Sequence, residues 1–85
     1  MYQIIFSSKA KKQYLKLEKS VQKRISNSLR RLRFNPERHL TKLVEIEAYR
    51  LRVGDYRLIL ELEKDRLIIT IIQLEHRKNI YKKIV

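Results

Sequence analysis

The 85-residue chain has no cysteine and no tryptophan, one glycine (Gly54), one proline (Pro36) and one methionine, Met1. Without thiols there is no disulfide scaffold and no sulfur-ligated zinc, and a reducing compartment is compatible with the composition. A lone glycine rules out a glycine-rich loop that cradles nucleotide phosphates. The two histidines, His39 and His76, are far apart and give no metal-ligand spacing, so neither a metal nor another cofactor is expected. No apolar run approaches the roughly 20 residues needed to span a bilayer. The N-terminal MYQIIFSSK also lacks the basic segment of a signal peptide. The expectation is one small cytoplasmic domain with no membrane partner, its 44% apolar residues sufficient for a single core.

Acidic residues are scarce as well: 9 Asp+Glu stand against 21 Lys+Arg, a formal net charge of +12. Such a field favours polyanions through counterion release and steering. The imbalance is concentrated in the first 42 residues, where 12 basic residues face 2 acidic ones, net +10, while 9 face 7 in the remainder, net +2.

Along the chain, Tyr2 to Phe6 is a strand candidate, closed by Ser7 and Ser8, either of which could cap a helix. Ala10, Tyr14 and Leu17 then recur at helical spacing, and Val21, Ile25, Leu29 and Leu32 form a second stripe in a helix opened by Ser20. That helix must stop near Phe34, because Asn35 precedes Pro36 and is pushed out of the α region. The two helices form a hairpin with a cationic outer surface. Residues 38–47 read as a loop. Strands follow around Gly54 and again after Lys64 and Asp65, ending in LIITIIQL, which is apolar on both faces and belongs near the centre of a sheet. RKNIYKKIV then places Ile80 with Ile84 and Arg77 with Tyr81 at i,i+4 spacing, a short terminal helix. The predicted fold is α+β: a small twisted antiparallel sheet packed against an N-terminal helical hairpin, in the order βααβββ plus a C-terminal helix.

The segment from Tyr49 to Arg57, YRLRVGDYR, carries the most information. A two-residue turn at Gly54 and Asp55 pairs Val53 with Tyr56, Leu51 with Leu58 and Tyr49 with Leu60 on the apolar side. The other side then sets Arg52 opposite Arg57, with Arg50 one pair further along. Like charges directly opposite on a sheet are destabilising. The cluster is therefore either a solvated face or a seat for an anion such as phosphate.

YRLRVGDYR and LIITIIQLEHRKNIY, with the helical hairpin after the first strand, resemble the RelE/ParE superfamily of bacterial and archaeal toxins over nearly the whole chain. The resemblance implies the toxin of a type II toxin–antitoxin module. In the RelE branch it implies a ribosome-dependent endoribonuclease that cleaves mRNA in the A site and inhibits translation. Residue by residue, Arg50 and Arg52 match two basic positions that are commonly lysine in RelE-like toxins, and Arg57 matches the arginine of the "GYR" segment, with a shorter turn here. His76, Arg77 and Tyr81 match the "HR…Y" ending. The partners implied are a RelB-like antitoxin in a hetero-oligomer, the ribosome and mRNA.

Cleavage by a ribose 2′-OH needs a base for that hydroxyl, cations for the charge developing on phosphorus, and an acid for the leaving 5′-oxygen, with no metal required. Arginines supply planar, permanently charged forks, so Arg50, Arg52 and Arg57 suit the phosphate. His76 and Tyr81 are both candidates for proton transfer, and Tyr81 could instead stack on a base or join the core. The remaining basic residues Lys9, Lys12, Lys16, Lys19, Lys23, Arg30, Arg31 and Arg33 on the helical hairpin are candidates for docking on ribosomal RNA. Two rival readings are a ParE-like inhibitor of DNA gyrase and a noncatalytic rRNA-binding protein.

Overall fold

The computed structural model describes residues 1–77; the remainder of the expected terminal helix, with Tyr81, lies outside the described residues. In chain order the elements are β1 (Gln3–Phe6), α1 (Ser8–Leu15), α2 (Lys19–Leu32), α3 (Pro36–His39), β2 (Thr41–Lys42), β3 (Tyr49–Val53), β4 (Tyr56–Glu63) and β5 (Ile68–His76). They form a five-stranded sheet in the order β1-β5-β4-β3-β2, with the helical hairpin on one face.

The α+β architecture and element order agree with the expectation, with three refinements. The sheet is mixed: β1 runs parallel to β5, while every other pair is antiparallel. The segment 38–47 read as a loop holds the end of α3, a helix with Pro36 in its first turn where a missing N–H costs nothing, and the two-residue strand β2 on the edge of β3. Finally, α2 starts at Lys19 after Glu18 rather than at Ser20, and its start has no side-chain cap. The turn before it is held from the other side, because Gln22 Nε2 donates to the carbonyls of Tyr14 and Leu17 while the Tyr14 hydroxyl donates to the Gln22 carbonyl.

One core sits between helices and sheet. Ala10 of α1 and Ile25, Leu29 and Leu32 of α2 pack on Leu51, Val53, Leu58, Leu60, Ile69, Ile71 and Leu74. In β5 the inward residues Ile71 and Leu74 are three apart, which strict alternation forbids. The register resolves this: Ile59 pairs with Gln73 but Leu60 with Ile71, so Ile72 is an extra, bulged residue. Ser7 braces the bulge. Its N–H donates to the Ile71 carbonyl at 2.9 Å and its hydroxyl donates to the Ile72 carbonyl at 2.6 Å, while the same Oγ accepts from the Ala10 N–H to cap α1. Beyond the end of β1, α1 lies along β5 in place of a strand, and Gln13 Oε1 accepts the Leu74 N–H at 2.7 Å.

Ser7→Ala removes a helix cap and the bulge's brace together, and is expected to lower stability by about 1–2 kcal/mol in urea unfolding. A loss below a few tenths of a kcal/mol would show that Ser7 does not support the bulge.

Candidate functional site

The face of the sheet turned away from the helices carries the polar chemistry. Alternation puts Arg50 and Arg52 of β3, Arg57, Ile59, Glu61 and Glu63 of β4, and Gln73 and Glu75 of β5 on this side. It is polarised along the strands: the arginines gather toward the Gly54–Asp55 turn, and Glu61 and Glu63 toward the opposite end.

The hairpin register is the expected one, with Val53 opposite Tyr56, Leu51 opposite Leu58, Tyr49 opposite Leu60 and Arg52 opposite Arg57. Gly54 has φ +59° and Asp55 no positive φ, so glycine alone supplies the left-handed position the turn requires. Arg57 is not left facing Arg52 unsupported. Its Nε and Nη2 donate to Glu75 Oε1 at 2.9 and 2.6 Å across the β4–β5 pair. Glu75 Oε2 accepts from Gln73 Nε2 at 3.1 Å, and Gln73 Oε1 accepts from Lys9 Nζ at 2.9 Å. Among the described residues, Arg50 and Arg52 have no side-chain hydrogen bond and no acidic partner.

Beside Arg57, Leu43, Val44, Glu45 and Ile46 stand over Ile59 and enclose a shallow pocket of about 360 Å³. The segment closes on itself through the Leu43 N–H to the Ala48 carbonyl and the Ala48 N–H to the Ile46 carbonyl, both 2.9 Å. Val44 is fully exposed.

The structure thus brings Arg50, Arg52 and Arg57 together. Arg77 is tied to the same end of the sheet, since its backbone N–H donates to the Asp55 carbonyl at 2.8 Å. His76 is placed differently. It pairs with Tyr56 on the helix-covered side, where the two rings meet edge to face with centroids 4.8 Å apart, because the phase that points Glu75 to Arg57 points its neighbour the other way. Of the docking candidates, Lys12, Lys16, Lys19, Lys23 and Arg30 are exposed, and so is Arg31, which donates to Ser28. Lys9 reaches the arginine face through Gln73. Arg33 has a structural partner, its Nε donating to the Tyr2 carbonyl at 2.9 Å where the chain end meets α2.

Two site residues were not singled out by sequence reasoning. Glu75 faces Arg57 only because of the bulge, which no residue pattern announces. Arg24 of α2 packs its guanidinium on Gly54: a Cβ built there would lie 3.0 Å from Nη2 and 3.3 Å from Cζ. A helix-side cation therefore reaches the turn of the arginine hairpin.

With this geometry in view, the fold is that of the RelE toxins. A chain of the toxin–antitoxin complex RelBE2 from Mycobacterium tuberculosis superposes with a TM-score of 0.82 at 22% identity, covering 89% of this chain and 98% of that one. A chain of the archaeal RelE–RelB complex from Pyrococcus horikoshii gives 0.77 at 26% identity, covering 89% and 94%. The isolated E. coli RelE toxin gives 0.77 at 20% identity, covering both chains completely. No curated protein matches significantly. The family model described as the ParE toxin of type II toxin–antitoxin system, parDE, matches residues 4–81, and the chain belongs to this family, within the RelE/ParE superfamily. Among the described residues no helix is long and apolar enough to cross a membrane.

Gly54→Ala is expected to cost about 1–2 kcal/mol from the left-handed backbone alone and to displace Arg24 as well. Gly54→Asn, whose residue tolerates this conformation better, should cost less. Urea melts of the two variants check the order, and an alanine variant as stable as the parent would contradict it.

Proposed function

We propose that this toxin is a ribosome-dependent endoribonuclease of the cytoplasm, cleaving mRNA in the A site by metal-independent attack of a ribose 2′-OH. The observation that carries the reading is the arginine face: Arg52 directly opposite Arg57, with Arg50 beside them, an arrangement unfavourable in isolation and stabilised by a bound phosphate. Arg50 and Arg52 offer unused forks to the non-bridging oxygens, and Arg57 offers the edge that Glu75 leaves free. Together they oppose the charge that builds on phosphorus as the 2′-oxygen bonds to it and the 5′-oxygen departs. Arg77, at the same end of the sheet, extends the cationic track. The proton carrier is assigned to Tyr81 in preference to His76, since His76 is paired on the far side with Tyr56. A tyrosine acts as a base only where neighbouring cations lower the pKa of its phenol.

The exposed cations of the helical hairpin, Lys12, Lys16, Lys19, Lys23, Arg30 and Arg31, serve as a separate surface for ribosomal RNA. Because the RelE structures similar to this chain include RelE–RelB complexes, a RelB-like antitoxin is the proposed protein partner, in a hetero-oligomer that covers the basic face.

A second reading has a specific observation in its favour: the matching family model is that of ParE, and Arg57 is already paired with a carboxylate. A ParE-like chain would inhibit DNA gyrase and leave mRNA whole. Mapping mRNA 5′ ends after induction, beside a gyrase supercoiling assay, separates the two. The ribonuclease reading expects new ends at ribosomal A sites, 2′,3′-cyclic phosphate and 5′-hydroxyl products, and no cutting at a 2′-deoxy position. Intact mRNA with blocked supercoiling would sink it.

Arg57→Ala is expected to lower the cleavage rate by about 100-fold or more, in line with loss of one charge-stabilising donor. Charge reversal at Lys12, Lys16 and Lys23 should weaken ribosome binding and flatten its salt dependence while leaving the folded state intact, as sedimentation at several salt concentrations would show.

A further inference from the structure

Among the described residues, Arg57 is the one arginine of the cluster whose fork is held. Both Nε and Nη2 donate to one oxygen of Glu75, whose other oxygen is bonded by Gln73, whose carbonyl is in turn bonded by Lys9. The carboxylate is largely enclosed, with 13% of its side chain exposed against 28% for Arg57. A guanidinium has five N–H groups, and this pairing uses two of them on one edge. Of the three left, one on Nη2 and one on Nη1 form the free outer edge of the fork, and the second on Nη1 lies on the Cδ side. Glu75 on β5 lies on the opposite side of Arg57 from Arg52 on β3.

We propose that Glu75 is a positioning residue: anchored by Gln73 and Lys9, it fixes the Arg57 fork so that its free edge, with Arg50 and Arg52, frames a seat for one RNA phosphate. The inference rests on the reading of Arg57 as a phosphate contact. It departs from simple electrostatics in sign. Removing a carboxylate from a basic site should tighten polyanion binding, whereas loss of a positioning group weakens it because Arg57 must then be ordered against the repulsion of Arg52.

The test compares the parent chain with Glu75→Gln, Glu75→Ala, Arg57→Ala and the Arg57→Ala/Glu75→Ala double variant, all verified as folded by thermal melts at the assay temperature. Two readouts are taken: kcat/KM on programmed ribosomes, and affinity for a short fluorescein-labelled 2′-deoxyribonucleotide strand, which cannot be cut by 2′-OH attack. Glu75→Ala is expected to lose about 10–100-fold in kcat/KM and to bind the strand more weakly despite its extra net positive charge. Glu75→Gln, which keeps an acceptor for Arg57, should fall between it and the parent. In the Arg57→Ala background Glu75→Ala should have no further effect, since its role passes through Arg57. A Glu75→Ala chain that binds and cuts as well as the parent or better would make Glu75 a brake and overturn the proposal. A further loss on top of Arg57→Ala would reduce it to a fold-stabilising residue. Should Glu75→Ala not fold, Gln73→Ala releases only the outer oxygen and should show a smaller loss of the same sign. A parent chain that leaves mRNA intact sinks the ribonuclease reading; the strand affinities still judge Glu75, and equal values across the set would overturn its role.

Discussion

The site depends on one extra residue in a strand. Ile72 shifts the phase of β5, so Ile69 and Ile71 point into the core before it and Leu74 after it, each buried. Without the bulge, the register of the first half would continue and Arg57 would oppose Leu74, with Glu75 directed at the helices. A one-residue slip exchanges faces along the whole remaining strand, at a cost in buried charge and exposed leucine that no local interaction offsets. Ser7 joins the three events that make the slip unavailable: it ends β1, caps α1 and bonds the bulged Ile72 carbonyl. The parallel pairing of β1 is part of the same device, because only from that direction does the chain deliver Ser7 beside Ile71 and Ile72 before turning into α1.

The arginine hairpin gains its character from this placement. Arg57 lies between a like charge on β3 and an opposite charge on β5, and its geometry follows the attraction. As a partly buried ion pair, Arg57–Glu75 sets its Coulomb attraction against the desolvation of both groups, and is weak evidence for stability. Its consequence is directional: one arginine is fixed while Arg50 and Arg52 keep their forks unused. The face is therefore neither a generic solvated surface nor three equivalent cations. The acidic residues Glu61 and Glu63 sit toward the other end of β4, so the positive charge of this face is weighted to the end near the turn.

Much of this was legible in the residues. Strand alternation and a lone glycine fixed the hairpin register pair by pair, because a two-residue turn leaves one solution that buries Tyr49, Leu51 and Val53 with Tyr56, Leu58 and Leu60. The helix stripes read correctly for the same reason, since Ile25, Leu29 and Leu32 admit one inward face. What escaped depends on non-local geometry. The parallel partner of β1 is set by the path of the helical hairpin rather than by β1's own composition. The bulge leaves no signature, since Ile71, Ile72 and Leu74 are all apolar, and so the partner of Arg57 and the far-side position of His76 were both hidden. The start of α2 was misplaced because Gln22 closes the preceding turn from within the helix, doing at a distance what a cap at Ser20 would have done locally.

The division into a cationic helical surface and a sheet-borne arginine face is less complete than charge counting implies. Arg24 leaves α2 and lays its guanidinium on Gly54, a contact that any side chain at position 54 would crowd. Arg77 is bonded to the other residue of the same turn. The tip of the arginine hairpin is thus met by the Arg24 guanidinium of α2 and by the backbone of Arg77, and the single glycine of the chain serves two ends there: it supplies the left-handed backbone and admits the guanidinium. Arg24 thus links the helical hairpin to the turn of the arginine hairpin. Lys9 gives a second link at the other side of β5, through Gln73 and Glu75 to Arg57. Of the two, Lys9 had been read from its helix position as a docking residue alone, and Arg24 had not been singled out, so each contact ties the helical hairpin to the sheet in a way that charge counting did not show.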